Sequence, residues 1–172
     1  GGYADSLSDS KGLVSLWRYN GQELKLEAVK TWQLAEGSAK TIAGGVQGNT
    51  VVYNVKAADL DKDGQKEIVT AGSTYDGVNV NGEIKVWRWN GNGLKELASQ
   101  KWATDYMTEA KSIALNDVNG DGKVEIIESG IAAAEGSFNN PEGIHDRGEL
   151  RVSSYNGTSL VLEESKAWTV DE

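Results

Sequence analysis

The sequence predicts an all-β protein built from repeated four-stranded antiparallel sheets. Glycine occurs 21 times and proline once, beside six Trp, six Tyr and many β-branched residues. This composition is typical of short strands joined by tight turns. Similar segments recur along the chain at spacings near those of known repeat architectures. Within them, polar and apolar residues alternate with the period of two that a strand requires.

The clearest repeat is a ten-residue segment that begins with glycine and ends in Asn-Gly. It occurs at residues 12–21, 82–91 and 148–157, so the spacings are 70 and 66 residues. Each copy is followed by an alternating stretch that ends in tryptophan, at Trp32, Trp102 and Trp168. Because Asn-Gly supplies the positive φ of a tight reversal, each copy predicts a β-hairpin.

Two further pairs of strands precede the second and third hairpins. The first pair is predicted at residues 55–59 and 67–72, and the second pair at residues 112–117 and 125–130, each with a polar loop between its strands. One such pair and one hairpin together make four antiparallel strands. That is the content of one β-propeller blade.

The phase of the repeat divides the chain into an incomplete blade at residues 1–34 and two blades at 35–103 and 104–172. This division gives about two and three-quarter blades, with one inner strand missing before the first hairpin. A closed propeller needs at least about four blades. We therefore expect a partial β-propeller that associates with other copies of itself or with the rest of a longer parent chain.

The two polar loops carry oxygen-bearing side chains at positions 1, 3, 5 and 9, with glycine at position 6. These side chains are Asp59, Asp61, Asp63 and Glu67 in the first loop and Asp117, Asn119, Asp121 and Glu125 in the second. The backbone carbonyl of position 7, Gln65 or Lys123, can add a ligand. Calcium takes about six to eight such oxygens, whereas magnesium prefers a rigid octahedron with retained waters. The loops therefore predict about two structural Ca²⁺ ions per chain, and the first loop, with more carboxylates, should depend more on its ion.

The loops allow two other interpretations. Asp, Asn and Gly also favour plain acidic surface turns, although two loops at equivalent places in a repeat make that less attractive. The second loop fits the twelve-residue EF-hand pattern with Glu128 at position 12, but the first loop has Thr70 there. The flanking segments read as short β-strands, so the EF-hand is rejected.

The paired Asp-x-Asp/Asn-x-Asp-Gly-x-x-Glu loops, each followed by Ile-Val or Ile-Ile and a glycine, resemble FG-GAP/VCBS repeats. The resemblance covers essentially the whole chain. It implies a calcium-binding β-propeller of the kind found in integrin α subunits and many secreted microbial proteins, with the eight loop side chains as ligands and an extracellular or cell-surface location. Two features depart from the integrin pattern: Glu at position 9, and no Phe-Gly…Gly-Ala-Pro signature.

Charge and composition exclude several classes of partner. The formal net charge is −9, with 17 basic and 26 acidic residues, which argues against nucleic acid and against an anionic membrane surface. The sequence has no cysteine, so zinc–thiolate sites and disulfides are excluded. No apolar run reaches the roughly 18 residues of a membrane-spanning helix, so no membrane insertion is expected.

The function predicted from the sequence is a calcium-stabilised module for extracellular binding, adhesion or assembly, not an enzyme. Long connections at the end of the blades opposite the loops could bind a protein or carbohydrate ligand, with Tyr75, Tyr106, Phe138 and His145 able to stack on it or simply to pack the connections. His145 has no nucleophile motif beside it. The alternative is a propeller segment of a polysaccharide-active enzyme such as a lyase, because similar calcium loops occur in such enzymes.

Overall fold

The computed structural model describes residues 2–4, 11–32, 50–76, 78–133 and 147–169. In these ranges the chain forms eleven β-strands and no helix, which confirms the all-β prediction. None of the described residues belongs to a helix that could span a membrane. The strands are β1 (Gly2–Ala4), β2 (Lys11–Tyr19), β3 (Leu24–Trp32), β4 (Thr50–Ala58), β5 (Glu67–Tyr75), β6 (Val80–Trp89), β7 (Leu94–Trp102), β8 (Met107–Asn116), β9 (Glu125–Ala133), β10 (Arg147–Tyr155) and β11 (Leu160–Trp168).

Consecutive strands pair antiparallel in three groups, which we call the first unit (β1–β3), the second unit (β4–β7) and the third unit (β8–β11). Among the described strands, one parallel pair, Val80 with Met107, connects the second unit to the third. The strands of each unit lie within the predicted segments 1–34, 35–103 and 104–172, whose boundaries remain a prediction.

The hairpins of the three units share one register. The first glycine of each hairpin pairs with its last tryptophan, as Gly12 with Trp32, Gly82 with Trp102 and Gly148 with Trp168. The register also shifts at the same place in each hairpin, after Leu16, Val86 and Val152. The spacings of 70 and 66 residues seen in the sequence are therefore spacings of equivalent positions in the sheets.

Two connections are shorter than the sequence predicted. Strand β5 continues to Tyr75 and β6 begins at Val80, because Asp76 Oδ1 accepts the backbone N–H groups of Val78 and Asn79 and closes a tight turn. Likewise β8 begins at Met107, after a turn in which the Thr108 hydroxyl accepts backbone N–H groups. The long connection expected at residues 72–81 is therefore mostly strand, and the one expected at residues 103–110 is strand over its second half.

The core lies between the faces of neighbouring units. Its main cluster combines second-unit residues such as Val69 and Ile84 with third-unit residues such as Ile113 and Ile126, all at most 3% exposed. A smaller cluster joins the first unit to the second through Trp87, whose ring centroid lies 4.9 Å from that of Trp32. The units are thus held together by burial of apolar faces.

A repeated polar contact accompanies this packing. Trp32 Nε1 donates to Glu83 Oε2 over 2.8 Å, and Trp102 Nε1 donates to Glu149 Oε2 over 3.1 Å. In both cases the last tryptophan of one unit reaches a buried carboxylate in the next unit. Trp32 and Trp102 therefore join neighbouring units and are not free stacking platforms for a sugar.

Candidate metal centre

Each polar loop connects the first two strands of a complete unit. The first loop runs from β4 to β5 and the second from β8 to β9, so the carboxylates Glu67 and Glu125 are the first residues of β5 and β9. Both glutamates have no solvent exposure. Burying a carboxylate costs free energy unless a cation or hydrogen-bond donors surround it, so each of these glutamates needs such partners inside its loop.

The backbone of the two loops is organised in the same way. Glu67 Oε2 accepts the N–H of Leu60 over 2.8 Å, and Glu125 Oε2 accepts the N–H of Val118 over 2.9 Å. At the sixth position, Gly64 N–H donates to Asp59 Oδ2 over 3.0 Å, and Gly122 N–H donates to Asp117 Oδ2 over 2.8 Å. Both glycines have positive φ, 87° and 85°, which gives the sharp turn that the sequence predicted.

The structure brings three carboxylates of each loop together. In the first loop one oxygen from each of Asp59, Asp61 and Glu67 lies within 4.8 Å of the others, and the same holds for Asp117, Asp121 and Glu125 in the second loop. Three oxygens at this separation can share one metal ion. The two clusters therefore could hold metal ions at the places that the 1-3-5-9 spacing indicates.

The other predicted ligands are engaged in the turns. Asp63 Oδ1 accepts the N–H of Gln65 over 2.8 Å, and Asn119 Oδ1 accepts the N–H of Asp121 over 2.9 Å. The N–H of Lys123 donates to Asp121 Oδ1 over 2.7 Å. The roles of Asp63, Asn119 and the position-7 carbonyls as ligands remain predictions.

Two buried oxygens in the clusters have no hydrogen-bond partner among the described residues. One is Glu125 Oε1 in the second loop, and the other is Asp59 Oδ1 in the first. A buried oxygen that lacks a donor has lost its hydration without replacement. A cation bound between the carboxylates would supply the missing partner, so the donor set fits a hard metal ion such as calcium.

Arg88 of β6 forms hydrogen bonds with the carboxylates of the first loop, and this distinguishes the first loop from the second. Its Nε donates to Glu67 Oε1 over 2.8 Å, its Nη1 to Asp63 Oδ2 over 2.7 Å and its Nη2 to Asp61 Oδ2 over 2.9 Å. Its Nη2 also contacts Glu67 Oε1. The hydrogen bond to Glu67 raises the pKa of Arg88 above its usual value, with Asp61 acting in the same direction and burial opposing. The guanidinium is therefore a permanent cation beside the first loop.

The two loops face a common cleft of about 420 Å³. Asp61 and Lys62 line it from the first loop, Asp121 and Lys123 from the second, and Tyr155 from β10. Burial, followed by the charge of Asp61, raises the pKa of the Tyr155 hydroxyl. The third Asn-Gly turn reaches the cleft through Asn156. Loops and turn thus share one end of the sheets, as the alternation of strand direction predicts.

The structure describes two of the four residues predicted to stack on a ligand or to pack the connections, so a ligand site there stays a prediction. Tyr75 is only 8% exposed, and burial raises the pKa of its hydroxyl. Tyr106 is 37% exposed at the turn between β7 and β8. Phe138 and His145 lie outside the described residues. The acidic loops, with their clustered carboxylates, are therefore the better-supported candidate site.

Sequence reasoning missed the position of Arg88, although a signal was present. Alternation along β6 places Arg88 on the same side as Ile84 and Val86, which are both buried. A guanidinium on a buried face requires carboxylate partners. Register supplies one, because Arg88 pairs directly with Glu67 in the β5–β6 ladder.

Comparison with known proteins supports the repeat. Neither a search of the curated proteins nor a search of the solved structures found a significant match to the chain. One family model, described as FG-GAP-like repeat, matches residues 59–127. The match begins at the first carboxylate of the first loop and ends just after Glu125 of the second loop. Residues 59–127 are therefore similar to an FG-GAP-like repeat, the family that the loops resemble.

Proposed function

We propose that this chain is a calcium-binding module of the β-propeller type that serves extracellular binding, adhesion or assembly, with calcium in a structural and not a catalytic role. The observation that carries the proposal concerns Glu125 Oε1, which belongs to the cluster with Asp117 and Asp121. This buried carboxylate oxygen has no hydrogen-bond partner within the described ranges. An FG-GAP-like repeat indicates the type of module.

The chemistry of the second loop favours calcium over other cations. Its side-chain donors are oxygens from Asp117, Asp121, Glu125 and Asn119, with no imidazole or thiolate among them. When bound, calcium would neutralise the crowded carboxylates. Because Asp117 follows β8 and Glu125 begins β9, ligands on both sides of the loop would fix the end of one strand against the start of the next.

Calorimetric titration of the chelator-treated protein tests the proposal. We expect saturable calcium binding, much weaker magnesium binding, and loss of the tight site in Asp121→Ala. Glu163→Ala is the matched control, because Glu163 is an exposed carboxylate on β11 that belongs to neither carboxylate cluster. If the wild-type protein takes up no calcium at millimolar free ion, the proposed function is wrong.

The extracellular role and the partner belong to the same proposal. FG-GAP repeats are typical of extracellular proteins. Apolar side chains are exposed on the first unit, with Trp17 51% and Leu24 64% exposed, and on the third unit, with Trp168 41% exposed. Exposed apolar patches of this kind mark interaction surfaces. We therefore propose that further sheet units, from other copies of the chain or from a longer parent chain, cover these faces.

A further inference from the structure

The two loops differ at one equivalent position of the neighbouring strand. Arg88 pairs with Glu67 in the β5–β6 ladder. Ser154 pairs with Glu125 in the β9–β10 ladder. We infer that Arg88 is a resident cation of the first loop that competes with calcium there, so that calcium binds the second loop in preference. This inference rests on the proposed function and specifies which loop performs it.

The comparison can be made oxygen by oxygen. In both loops, Oε2 of the position-9 glutamate accepts the N–H of the loop's second residue, Leu60 or Val118. The other oxygen, Oε1, is therefore the equivalent atom in the two sites. In the second loop Glu125 Oε1 has no hydrogen-bond partner among the described residues, whereas in the first loop Glu67 Oε1 accepts a hydrogen bond from Arg88 Nε at 2.8 Å. The oxygen that is available for calcium in one loop is occupied by a guanidinium in the other.

Arg88 binds more than this one oxygen. Its two terminal nitrogens donate to Asp61 Oδ2 and Asp63 Oδ2, so the guanidinium bonds three of the four carboxylates of the first loop. A guanidinium matches carboxylate geometry and stays charged at any ordinary pH. A calcium ion entering the first loop would either meet this positive charge at close range or break these bonds. Asp59 Oδ1 remains unpartnered, so weakened and not abolished binding is expected there.

The lysine of the second loop is not an equivalent of Arg88. Lys123 Nζ lies 3.7 Å from Asp121 Oδ2, and its side chain is 68% exposed. An exposed ion pair of this kind contributes little and can open into solvent when a divalent cation binds. Lys62 also extends toward this loop, since a Cβ built on Gly122 would lie 3.2 Å from Lys62 Nζ. Neither ammonium appears in a hydrogen bond to Glu125 Oε1, which has no partner.

The opposite role for Arg88 is also physically coherent and makes the opposite prediction. A cation bound to the outer oxygens could hold the carboxylates in place and so support a calcium ion on their inner side. Removing Arg88 would then weaken calcium binding at the first loop. Competition predicts that removing it strengthens binding, so the sign of the change separates the two roles.

The experiment compares calcium titrations of the wild type, Arg88→Ser and Ser154→Arg, each measured by calorimetry after chelation. Arg18→Ser is the matched control, because Arg18 is the residue 70 positions before Arg88 and is an exposed partner of Glu27 at 3.1 Å. We expect one tight site in the wild type and in Arg18→Ser. Arg88→Ser should gain affinity at the first loop by at least about tenfold, and Ser154→Arg should lose affinity at the second loop by a similar factor.

Melting temperatures in chelator supply a readout that needs no metal. Arg88→Ser should lower the melting temperature more than Arg18→Ser, because four crowded carboxylates lose a cation, and Ser154→Arg should raise it. Equal or weaker calcium binding in Arg88→Ser, together with unchanged binding in Ser154→Arg, would overturn the inference and leave the proposed function standing. If the wild type binds no calcium, the proposed function is wrong. Equal melting temperatures of Arg88→Ser and Arg18→Ser in chelator would then overturn the inference as well. If Arg88→Ser does not fold, Ser154→Arg alone decides.

Discussion

Arg88 donates from Nε to Oε1 of the fully buried Glu67, its direct partner across the β5–β6 ladder, over 2.8 Å. The equivalent oxygen in the second loop, Glu125 Oε1, has no hydrogen-bond partner in the part of the chain that the structure describes. One cross-strand pair thus gives different electrostatic surroundings to two loops that share the same 1-3-5-9 spacing of oxygen-bearing side chains. Counting carboxylates alone predicts that the first loop depends more on calcium; the position of Arg88 leads us to the opposite expectation.

Asp117→Ala should remove more of the calcium-dependent stability than Asp59→Ala. Binding to the folded state alone stabilises it by about 2.7 kcal/mol at a hundredfold excess over Kd. For a chain of this size, each kcal/mol corresponds to about 2–4 °C in melting temperature. We expect Asp117→Ala to lose most of the rise that calcium produces over chelator, while Asp59→Ala keeps most of it. A larger loss in Asp59→Ala, measured by thermal unfolding, would contradict the preference for the second loop.

Glu128 should make stability depend on pH. Burial, with a smaller contribution from the Glu149 carboxylate and against the effect of Arg151, raises the pKa of Glu128 from 4.5 to about 8. Because the folded state holds this proton more tightly than the unfolded state, the stabilisation is fully present below about pH 4.5 and is lost as pH rises through about 8. Glu128→Gln cannot lose a proton, so it should be more stable than the wild type at about pH 9.

Denaturant unfolding in chelator from about pH 5 to pH 9 measures this difference, since the other titrating groups are common to both proteins. The stability of Glu128→Gln relative to the wild type should increase steadily with pH. Glu163→Gln serves as the control, because it makes the same substitution at an exposed glutamate. A constant difference between Glu128→Gln and the wild type would show that Glu128 titrates normally.

Glu149 should be among the most sensitive positions in the contact between the second and third units. It is 2% exposed and accepts hydrogen bonds from Trp102 Nε1 at 3.1 Å and Thr104 Oγ1 at 2.5 Å. It also lies 3.6 Å from the buried guanidinium of Arg151. Removing one partner of a buried ion pair costs about 3–5 kcal/mol, so Glu149→Ala should be strongly destabilised in chemical denaturation. Trp102→Phe, which loses the indole N–H but leaves the ion pair, should cost clearly less; the reverse order would refute this account of the contact.

Glycine at position 72 is required by close approach of the backbone. A Cβ at Gly72 would lie 1.9 Å from the carbonyl oxygen of Val51, on the neighbouring strand β4. Gly72→Ala should therefore force the β4–β5 pair apart, at a cost of about 1–3 kcal/mol or more. Gly93→Ala is the matched control, because a Cβ there meets nothing within 4 Å, and its effect should stay within about 0.5 kcal/mol. Equal unfolding midpoints for the two variants would contradict the described strand spacing.

Much of the fold could be predicted because short, local sequence patterns determine where the strands and turns lie. Asn-Gly turns, period-two alternation and closing tryptophans locate strands such as β7, which runs over Leu94–Trp102 as expected. The repeat then places both acidic loops between paired strands. Local patterns did not predict the two short turns after β5 and β7. There the side chains of Asp76 and Thr108 accept backbone N–H groups, so that β5 ends later and β8 begins earlier than predicted.

The electrostatic difference between the loops could not be read from either loop alone. Arg88 lies 21 residues after Glu67 in sequence, and their contact depends on the register of β5 and β6. The burial of Glu128 depends in the same way on packing from β8 and β10, with which it pairs at Ile113 and Arg151. Such contacts join elements, so composition and spacing within one element do not reveal them.

The most direct test of the central claim is a crystal structure of the protein grown with calcium, with the ion located by its anomalous scattering. The account predicts a calcium ion in the second loop, with Glu125 Oε1 among ligands at about 2.3–2.6 Å. It also predicts that Arg88 keeps its hydrogen bond to Glu67 at a calcium concentration that is just enough to fill the second loop. A calcium ion in the first loop with Arg88 displaced and the second loop without an ion, or no calcium in either loop, would contradict it.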